Sequence, residues 1–593
     1  MRLTRLNHQP LNRREIIMQP SIRNVWYRLS SWRFSQHQQL LHSARQRILG
    51  SAIISCIAFL AIIARLVDVM VIRIPDCNTG CNQRECQLRQ NVVDRNGVIL
   101  ATQLITASVY ANPKVIIDAK EAATKLCKLF PHWNYDALLK KLQSNQGFVW
   151  IERHASPKIQ EAVHSLGIPG IYLQQDQKRA YPHGSLASHV IGRCDIDGRG
   201  VSGVERAFDT TLRTQEGELK LSLDIRVQHA IHNELVAAVK KFKANAANAM
   251  VMDVETGEVI AMVSLPDYDL NRPMKNLKSE FNRNTLGVYE QGSTFKILNV
   301  AIALESGVAT LNSIFDNRNP VQIGRFKITD FRVPCRELTL VEALLYSSNI
   351  AAIKIAQRFG PQVQKHFMEK FGILNSPTLE ISELGNPLLP RDWRETAMMS
   401  VSFGYGIAVT PLHTLAAIAG IVNNGYRPIP TLKFVTSANR QHRINSFLKD
   451  PCVSAQTSKI IRHIMRMIVS EGTARKANIE GYQVFAKTGT AYQSGKKGGY
   501  GAESDRSRTT SFIGGFPANR PQYVMIVMLD DPKAVEGTYG FATAGWNVAP
   551  VAGQIIERIA PLLGVKASLK EEQSLNMDGL MLTSLNNAGD GDH

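Results

Sequence analysis

Two residues three apart carry the most chemical promise in this chain. Ser293 and Lys296 stand at the head of the apolar run ILNVAIALESG, a pattern that predicts a helix. One helical turn separates positions i and i+3, so the hydroxyl and the amine project from the same face. A serine hydroxyl is a poor nucleophile at neutral pH, and an amine kept neutral by burial or by a cationic neighbour can act as its base. The amino terminus of a helix adds a field that favours developing negative charge. Taken alone, the pair is common by chance and would be no more than a capped helix.

Two later runs give it weight. Ser347, Ser348 and Asn349 lie between LTLVEALLY and IAAIKIAQRF, both helical in pattern, and a junction between helices can aim a hydroxyl and an amide into a cleft. Lys487, Thr488, Gly489 and Thr490 follow YQVFA, which alternates as a strand does, and precede a turn-rich SGKKGGYG and two strand-like runs, TTSFIGGF and YVMIVML. The expectation is an antiparallel sheet whose edge strand carries these four residues and binds an extended peptide by strand addition. Lys487 and the threonines would fix a carboxylate, and Gly489 would admit the ligand backbone. Separately, the first run would most often be a helix cap and the second a surface strand with a glycine bulge.

Positioning these groups takes a large scaffold. At 593 residues the chain has room for three or four units at about 150 residues each. Residues 48 to 64 form an uncharged run, ILGSAIISCIAFLAIIA, that extends to residue 72 if Arg65 snorkels. Residues 1 to 47 hold nine arginines and the single acid Glu15, the pattern of a tail kept in the cytoplasm. The expected order is therefore a basic cytoplasmic tail (1–47), a transmembrane anchor (48–72), an α+β spacer (73–223), a catalytic domain (224–565) and a polar C-terminal tail (566–593), with the body outside the membrane. The catalytic part opens with LSLDIRVQHAIHNELVAAVKKF, a strand-like piece leading into an amphipathic helix. The hairpin NAMVMDVETGEVIAMVSLP follows, turning at Glu255 to Gly257.

Composition excludes little. A net charge of +19 attracts anionic partners, but no zinc-finger spacing or RNP-like string supports a nucleic-acid role. Five of the eight cysteines are scattered singly. Cys77, Cys81 and Cys86 cluster without a CxxC pair or a nearby histidine, which favours a disulfide or free thiols over metal. Neither metal nor cofactor is expected.

The ordered set SxxK, SxN and KTG, with 54 residues from Ser293 to Ser347 and 140 from there to Lys487, is shared by penicillin-binding proteins and class A β-lactamases. Ser348 in the place of the Asp of SDN tells against a β-lactamase of that class. The chain resembles the class B penicillin-binding proteins over nearly everything after the anchor. RQNVVDRNGVILA (89–101) resembles the family's RGxIxDRNGxxLA box, RAYPHGSLASHVIG (179–192) its YPxGxxAxHxxG box, and GVSGVE (200–205) follows. DVETGEVIAM (253–262), YEQGSTFK (289–296) and FGYGI (403–407) also have counterparts there. Gln90 replaces the customary glycine, and Gln291 stands where the family usually has proline, a change expected to loosen the lead-in to the active helix.

The resemblance implies an α+β multidomain chain whose transpeptidase domain is serine β-lactamase-like, an antiparallel sheet flanked by helices. It implies a peptidoglycan D,D-transpeptidase, covalently inhibited by β-lactams, with Ser293 as nucleophile and Lys296 as proton acceptor. Ser347 and Asn349 would relay the proton and orient the substrate, while Lys487, Thr488, Gly489 and Thr490 bind its carboxylate end. The short loop between Gly192 and Gly203, together with GYQVFAKTGTA, points to the septal branch. An elongation-type enzyme, a β-lactamase or β-lactam sensor, and a non-catalytic division scaffold are the alternatives. Stem peptides, β-lactams, an FtsW-like glycan polymerase and other divisome proteins are the implied partners, at the cytoplasmic membrane.

Overall fold

The computed structural model describes residues 49–64, 88–273, 277–448, 450–493 and 507–568. The arginine-rich tail, residues 65–72 of the expected anchor, the cysteine cluster at 77, 81 and 86, the SGKKGGYG turn and the C-terminal tail from 569 onward lie outside them. The chain divides into two compact units, Met1–Gln87 and Leu88–His593. In the first, residues 49–64 are helical and leave large apolar side chains such as Ile54, Phe59 and Leu60 exposed. Among the described residues no helix is long and apolar enough to cross a membrane.

The second unit begins with an α+β pedestal built on one long strand. β1 (Asn91–Val93), β2 (Ile99–Ala111), β3 (Val149–Ala155), β4 (Ile171–Ala180) and β5 (Glu218–Lys220) form one sheet. β2 pairs antiparallel with β4 along most of its length, with β3 at one end and with β1 at the other, while β1 and β5 run parallel. Val109 and Ala111 of β2 and Ile151 of β3 pack with Leu126 and Leu138 from two short helices, a small core of its own. Those helices, Ala119–Leu129 and Tyr135–Leu142, start where Asp118 and Asn134 accept the free N–H groups of the first turn.

The three sequence boxes of the pedestal meet at its root. Glu205, fully buried, accepts Arg89 Nε at 2.7 Å on one carboxylate oxygen and Arg179 Nε at 2.7 Å on the other. Arg89 also reaches Asp209 at 2.7 Å and the Glu205 carbonyl at 2.7 Å. Arg179 Nη1 donates to the carbonyl of Gln90 at 2.8 Å, so that residue takes part through its backbone, whatever its side chain.

The rest of this unit is built on one antiparallel sheet in the order β12 (Phe485–Tyr492), β13 (Arg508–Phe516), β14 (Tyr523–Asp530), β6 (Ala246–Asp253) and β7 (Val259–Leu265). β6 and β7 are the expected hairpin, its turn closed by Gly257 at φ 75°. The small pairs β8 (Ile314–Asp316) with β11 (Glu337–Thr339) and β9 (Val321–Ile323) with β10 (Phe326–Ile328) lie off the sheet. β12, β13 and β14 complete it, and β14 pairs with β6 across more than 200 residues of chain. β6, β7 and β13 are buried almost throughout, as in a sheet covered on both faces. Helices Ile225–Phe242 and Val548–Leu562 pack together on it, and helix Ala455–Ser470 packs on β12 and on helices Pro411–Val422 and Lys296–Glu305. The first of these helices buries Val227, Ile231, Leu235 and Phe242 along one stripe, each contributing about 1.5–3 kcal/mol. One continuous apolar core runs from Val92 and Leu100 in the pedestal root to Phe295 beside Ser293.

Candidate active site

Ser293 lies in a 3-10 turn, Gly292–Phe295, that leads into the α-helix Lys296–Glu305. Gly292 takes φ 54° there, a conformation that glycine adopts freely. The FGYGI box holds this lead-in from outside: the Gly292 N–H donates to the Gly404 carbonyl at 3.1 Å, and a Cβ on Gly404 would fall 2.0 Å from the Gly292 oxygen. Gln291 does not loosen the lead-in as expected. Its side chain is buried and donates through Nε2 to the carbonyls of Val409 at 3.1 Å and Tyr289 at 3.3 Å, while its own carbonyl accepts Thr294 Oγ1 at 2.9 Å. Where proline would stiffen the backbone, glutamine ties it to the neighbouring loop.

Ser347 occupies the turn between helices Leu340–Leu345 and Asn349–Lys370 at φ 63°. For a non-glycine residue that conformation costs about 1–3 kcal/mol and persists only where its surroundings enforce it. Ser348 enforces part of it as the cap of the second helix, accepting the Ala351 N–H at 2.9 Å. The kink turns both the carbonyl and the hydroxyl of Ser347 toward Lys296.

Lys296 is the centre of the arrangement. Its Nζ lies 2.6 Å from the Ser347 carbonyl, 2.7 Å from Asn349 Oδ1, 3.1 Å from Ser293 Oγ and 3.3 Å from Ser347 Oγ. The Asn349 amide is oriented by the opposite end, where Nδ2 donates to the Thr329 carbonyl at 3.1 Å. A neutral amine has two N–H donors and one lone pair. The two closest partners, a carbonyl and an amide oxygen, can only accept, so they take both donors and leave the lone pair for a serine O–H. Burial holds the Lys296 ammonium down, to about 7, against an upward pull from Asp330. The amine is therefore available as a base near neutral pH.

Lys487 approaches from β12. It is fully buried and donates to Ser347 Oγ at 2.9 Å and to the Thr488 carbonyl at 3.1 Å, with burial and then the Lys296 amine holding it well below the ordinary lysine range. Its amine thus stands within the hydrogen-bond network of the Ser347 turn. Thr488 Oγ1 lies 2.8 Å from Thr473 Oγ1, either one donating, and Thr490 Oγ1 accepts the Ala544 N–H at 3.2 Å. Gly489 faces another stretch of the same chain. A Cβ there would sit 2.5 Å from Ser511 Oγ and 2.9 Å from the Gln291 carbonyl, so the glycine admits the protein's own lead-in to the active helix. β12 is the edge of its sheet.

All eight expected residues thus line one region. Two more were not foreseen. Asp330 accepts Ser348 Oγ at 2.6 Å and the Asn349 and Ile350 N–H groups. Thr473 pairs with Thr488 through its hydroxyl. Their surrounding sequences, KITDFRVP and SEGTARK, carry neither a recognisable spacing nor a period.

The family model of the penicillin binding protein transpeptidase domain matches residues 247–557, and that of the penicillin-binding protein dimerisation domain matches residues 87–237. The chain belongs to the class B penicillin-binding proteins. It is 36% identical over 493 residues, 81% of this chain and 82% of the relative, to the probable peptidoglycan D,D-transpeptidase FtsI of Caulobacter vibrioides. It is 29% identical over 579 residues, 90% and 92% of the two chains, to the peptidoglycan D,D-transpeptidase FtsI of Escherichia coli K12. A crystal structure of a peptidoglycan synthetase from Bifidobacterium adolescentis shares the fold at TM-score 0.63 and 20% identity, covering 82% of this chain and 97% of that one. In this class B protein the α+β pedestal and the antiparallel transpeptidase sheet are the two matched domains.

Proposed function

We propose that the chain is a peptidoglycan D,D-transpeptidase that cross-links stem peptides during septal wall synthesis. The observation that carries this reading is the setting of Lys296: its two closest partners, the Ser347 carbonyl and Asn349 Oδ1, can only accept, and Ser293 Oγ lies 3.1 Å away, in reach of the amine as base. Ser293 attacks the carbonyl carbon of the penultimate D-Ala, and its proton passes to Lys296 Nζ. The C–N bond breaks, terminal D-Ala leaves as an amine after taking a proton through the Ser347 hydroxyl, and an acyl ester remains on Ser293. The Ser293 N–H at the head of the helical turn stabilises the oxyanion. Asn349 orients the donor amide. Thr488 with Thr473, Thr490 and the Lys487 amine receive the carboxylate as hydrogen-bond donors beside the edge of β12. An amine from a second stem peptide then takes the acyl group and frees Ser293.

β-Lactams acylate the same serine under this reading, which gives the test. Full-length protein in membranes is labelled with fluorescent penicillin, wild type against Ser293→Ala. The expected result is a labelled wild type and an unlabelled variant, and a Ser293→Ala protein that still labels overturns the assignment.

The septal role is supported by the FtsI names of the relatives and by the ten residues between Gly192 and Gly203. Anchoring in the cytoplasmic membrane, with the catalytic part outside, is supported by the exposed apolar side chains of residues 49–64 and the nine arginines before them. An FtsW-like glycan polymerase and other divisome proteins are the partners this reading supplies.

A further inference from the structure

Asp330 belongs to none of the three motifs and lies 18 residues before Ser348, yet its carboxylate takes three donors from the Ser347 turn. One oxygen accepts Ser348 Oγ at 2.6 Å, and the other accepts the Asn349 N–H at 2.5 Å and the Ile350 N–H at 3.2 Å. Ser348 is fully buried and shares its hydroxyl with Asn317 Oδ1 at 2.7 Å. The next residue down the loop works with it, since the Thr329 carbonyl fixes the Asn349 amide. Where related enzymes carry SDN, this chain has Ser347, Ser348 and Asn349, so the tripeptide lacks an acid of its own.

The charges around this point are few. Lys296 faces Lys487 from β12 and Asp330 from the loop, and its hydrogen-bond partners Ser293, Ser347 and Asn349 are neutral. Beyond Asp330, Arg332 on the same loop is stacked on Phe541, and Lys354 on the adjoining helix donates to the Asp316 carbonyl. Asp330 is therefore the acid whose charge acts on the buried Lys296 amine.

We propose that Asp330 is a positioning residue for acylation: its carboxylate supplies from a remote loop the acid that the Ser-Ser-Asn turn lacks, and so keeps the Ser347 hydroxyl and the Asn349 amide on Lys296. The proposal rests on Lys296 being the base for Ser293. It separates two effects with different signatures. Holding the turn sets the maximal rate, and placing a negative charge near Lys296 sets the pH at which that rate is reached, because a carboxylate favours the protonated amine.

The test measures the second-order rate of acylation by fluorescent penicillin from pH 5 to 9 on full-length protein, for wild type, Asp330→Asn, Asp330→Ala and Ser293→Ala. Asp330→Ala loses the clamp, and its plateau rate falls roughly 10- to 100-fold. Asp330→Asn keeps the shape and part of the hydrogen bonding, so its plateau falls less, but its acid limb moves to lower pH because the protonated amine loses its nearest anion. Mere loosening of the fold admits water to Lys296 and moves the limb to higher pH. An acid limb that stays in place or rises in Asp330→Asn overturns the proposal, as does an Asp330→Ala plateau within about threefold of wild type. Asp330→Asn, nearly isosteric, decides the matter where Asp330→Ala does not fold. Labelling of Ser293→Ala sinks the nucleophile assignment and this proposal together, whereas an unlabelled Ser293→Ala beside an unmoved Asp330→Asn sinks this proposal alone.

Discussion

Replacing Glu205 with alanine removes the shared acid of a buried three-charge cluster. Glu205 is 0% exposed, Arg89 5% and Arg179 8%, so water cannot take over the pairing. Both guanidinium groups lose a 2.7 Å charge-assisted partner, although Arg89 keeps Asp209 and Arg179 keeps backbone carbonyls. Breaking a buried pair by deleting one member costs about 3–5 kcal/mol, because the charge left behind is uncompensated. Because the pedestal root shares its core with the rest of the Leu88–His593 unit, that corresponds to a fall in melting temperature of a few degrees, larger than any exposed pair gives. The assay is thermal unfolding of the full chain in detergent, followed by tryptophan fluorescence, to which Trp133 and Trp150 of the pedestal contribute. Glu121→Ala, which breaks an exposed i,i+4 pair with Lys125, serves as the control and shifts stability by no more than about 0.5 kcal/mol. The reasoning is refuted if the two variants melt within a degree or two of each other, about the effect of 0.5 kcal/mol.

Two further outcomes follow from the site. Acylation of the wild type by penicillin rises with pH through about 7 and then levels off, since Lys296 must lose its proton to act as base and burial places that loss near 7; a rate independent of pH between 5.5 and 8, measured by stopped-flow labelling, contradicts the assignment. Gly489→Ala forces a methyl against Ser511 Oγ and the Gln291 carbonyl, so it costs about 1–3 kcal/mol in a denaturation experiment and lowers the labelling rate by displacing the Ser293 turn. Normal stability with normal labelling for that variant would mean that β12 moves freely away from the lead-in.

The parts of the site that could be read from sequence are those fixed by local geometry. Ser293 and Lys296 share a helical face, Ser347 and Asn349 flank a cap, and Lys487 to Thr490 alternate along one strand, so each motif carries its own placement. The β6–β7 hairpin and the Ile225–Phe242 helix were legible for the same reason, from period and turn chemistry. What failed to show was everything set by the company a residue keeps. The Gln291 carbonyl beside Gly489 and the Ser347 hydroxyl 2.9 Å from Lys487 come from segments far away along the chain. Gln291 reads as a loosened proline position until its amide meets Val409, 118 residues on. Asp330 and Thr473 sit in irregular loops, where neither propensity nor periodicity says which neighbour they meet.

The shared core has a practical consequence for anyone wishing to isolate the catalytic half. A fragment cut after residue 223 would strip Val92, Leu100, Ala101, Tyr181 and Val204 from the apolar mass they help to form, and would bare the surface they cover to water. Such a piece should tend to aggregate, so soluble preparations are better begun just ahead of Arg89, with the pedestal root retained as a lid on that surface.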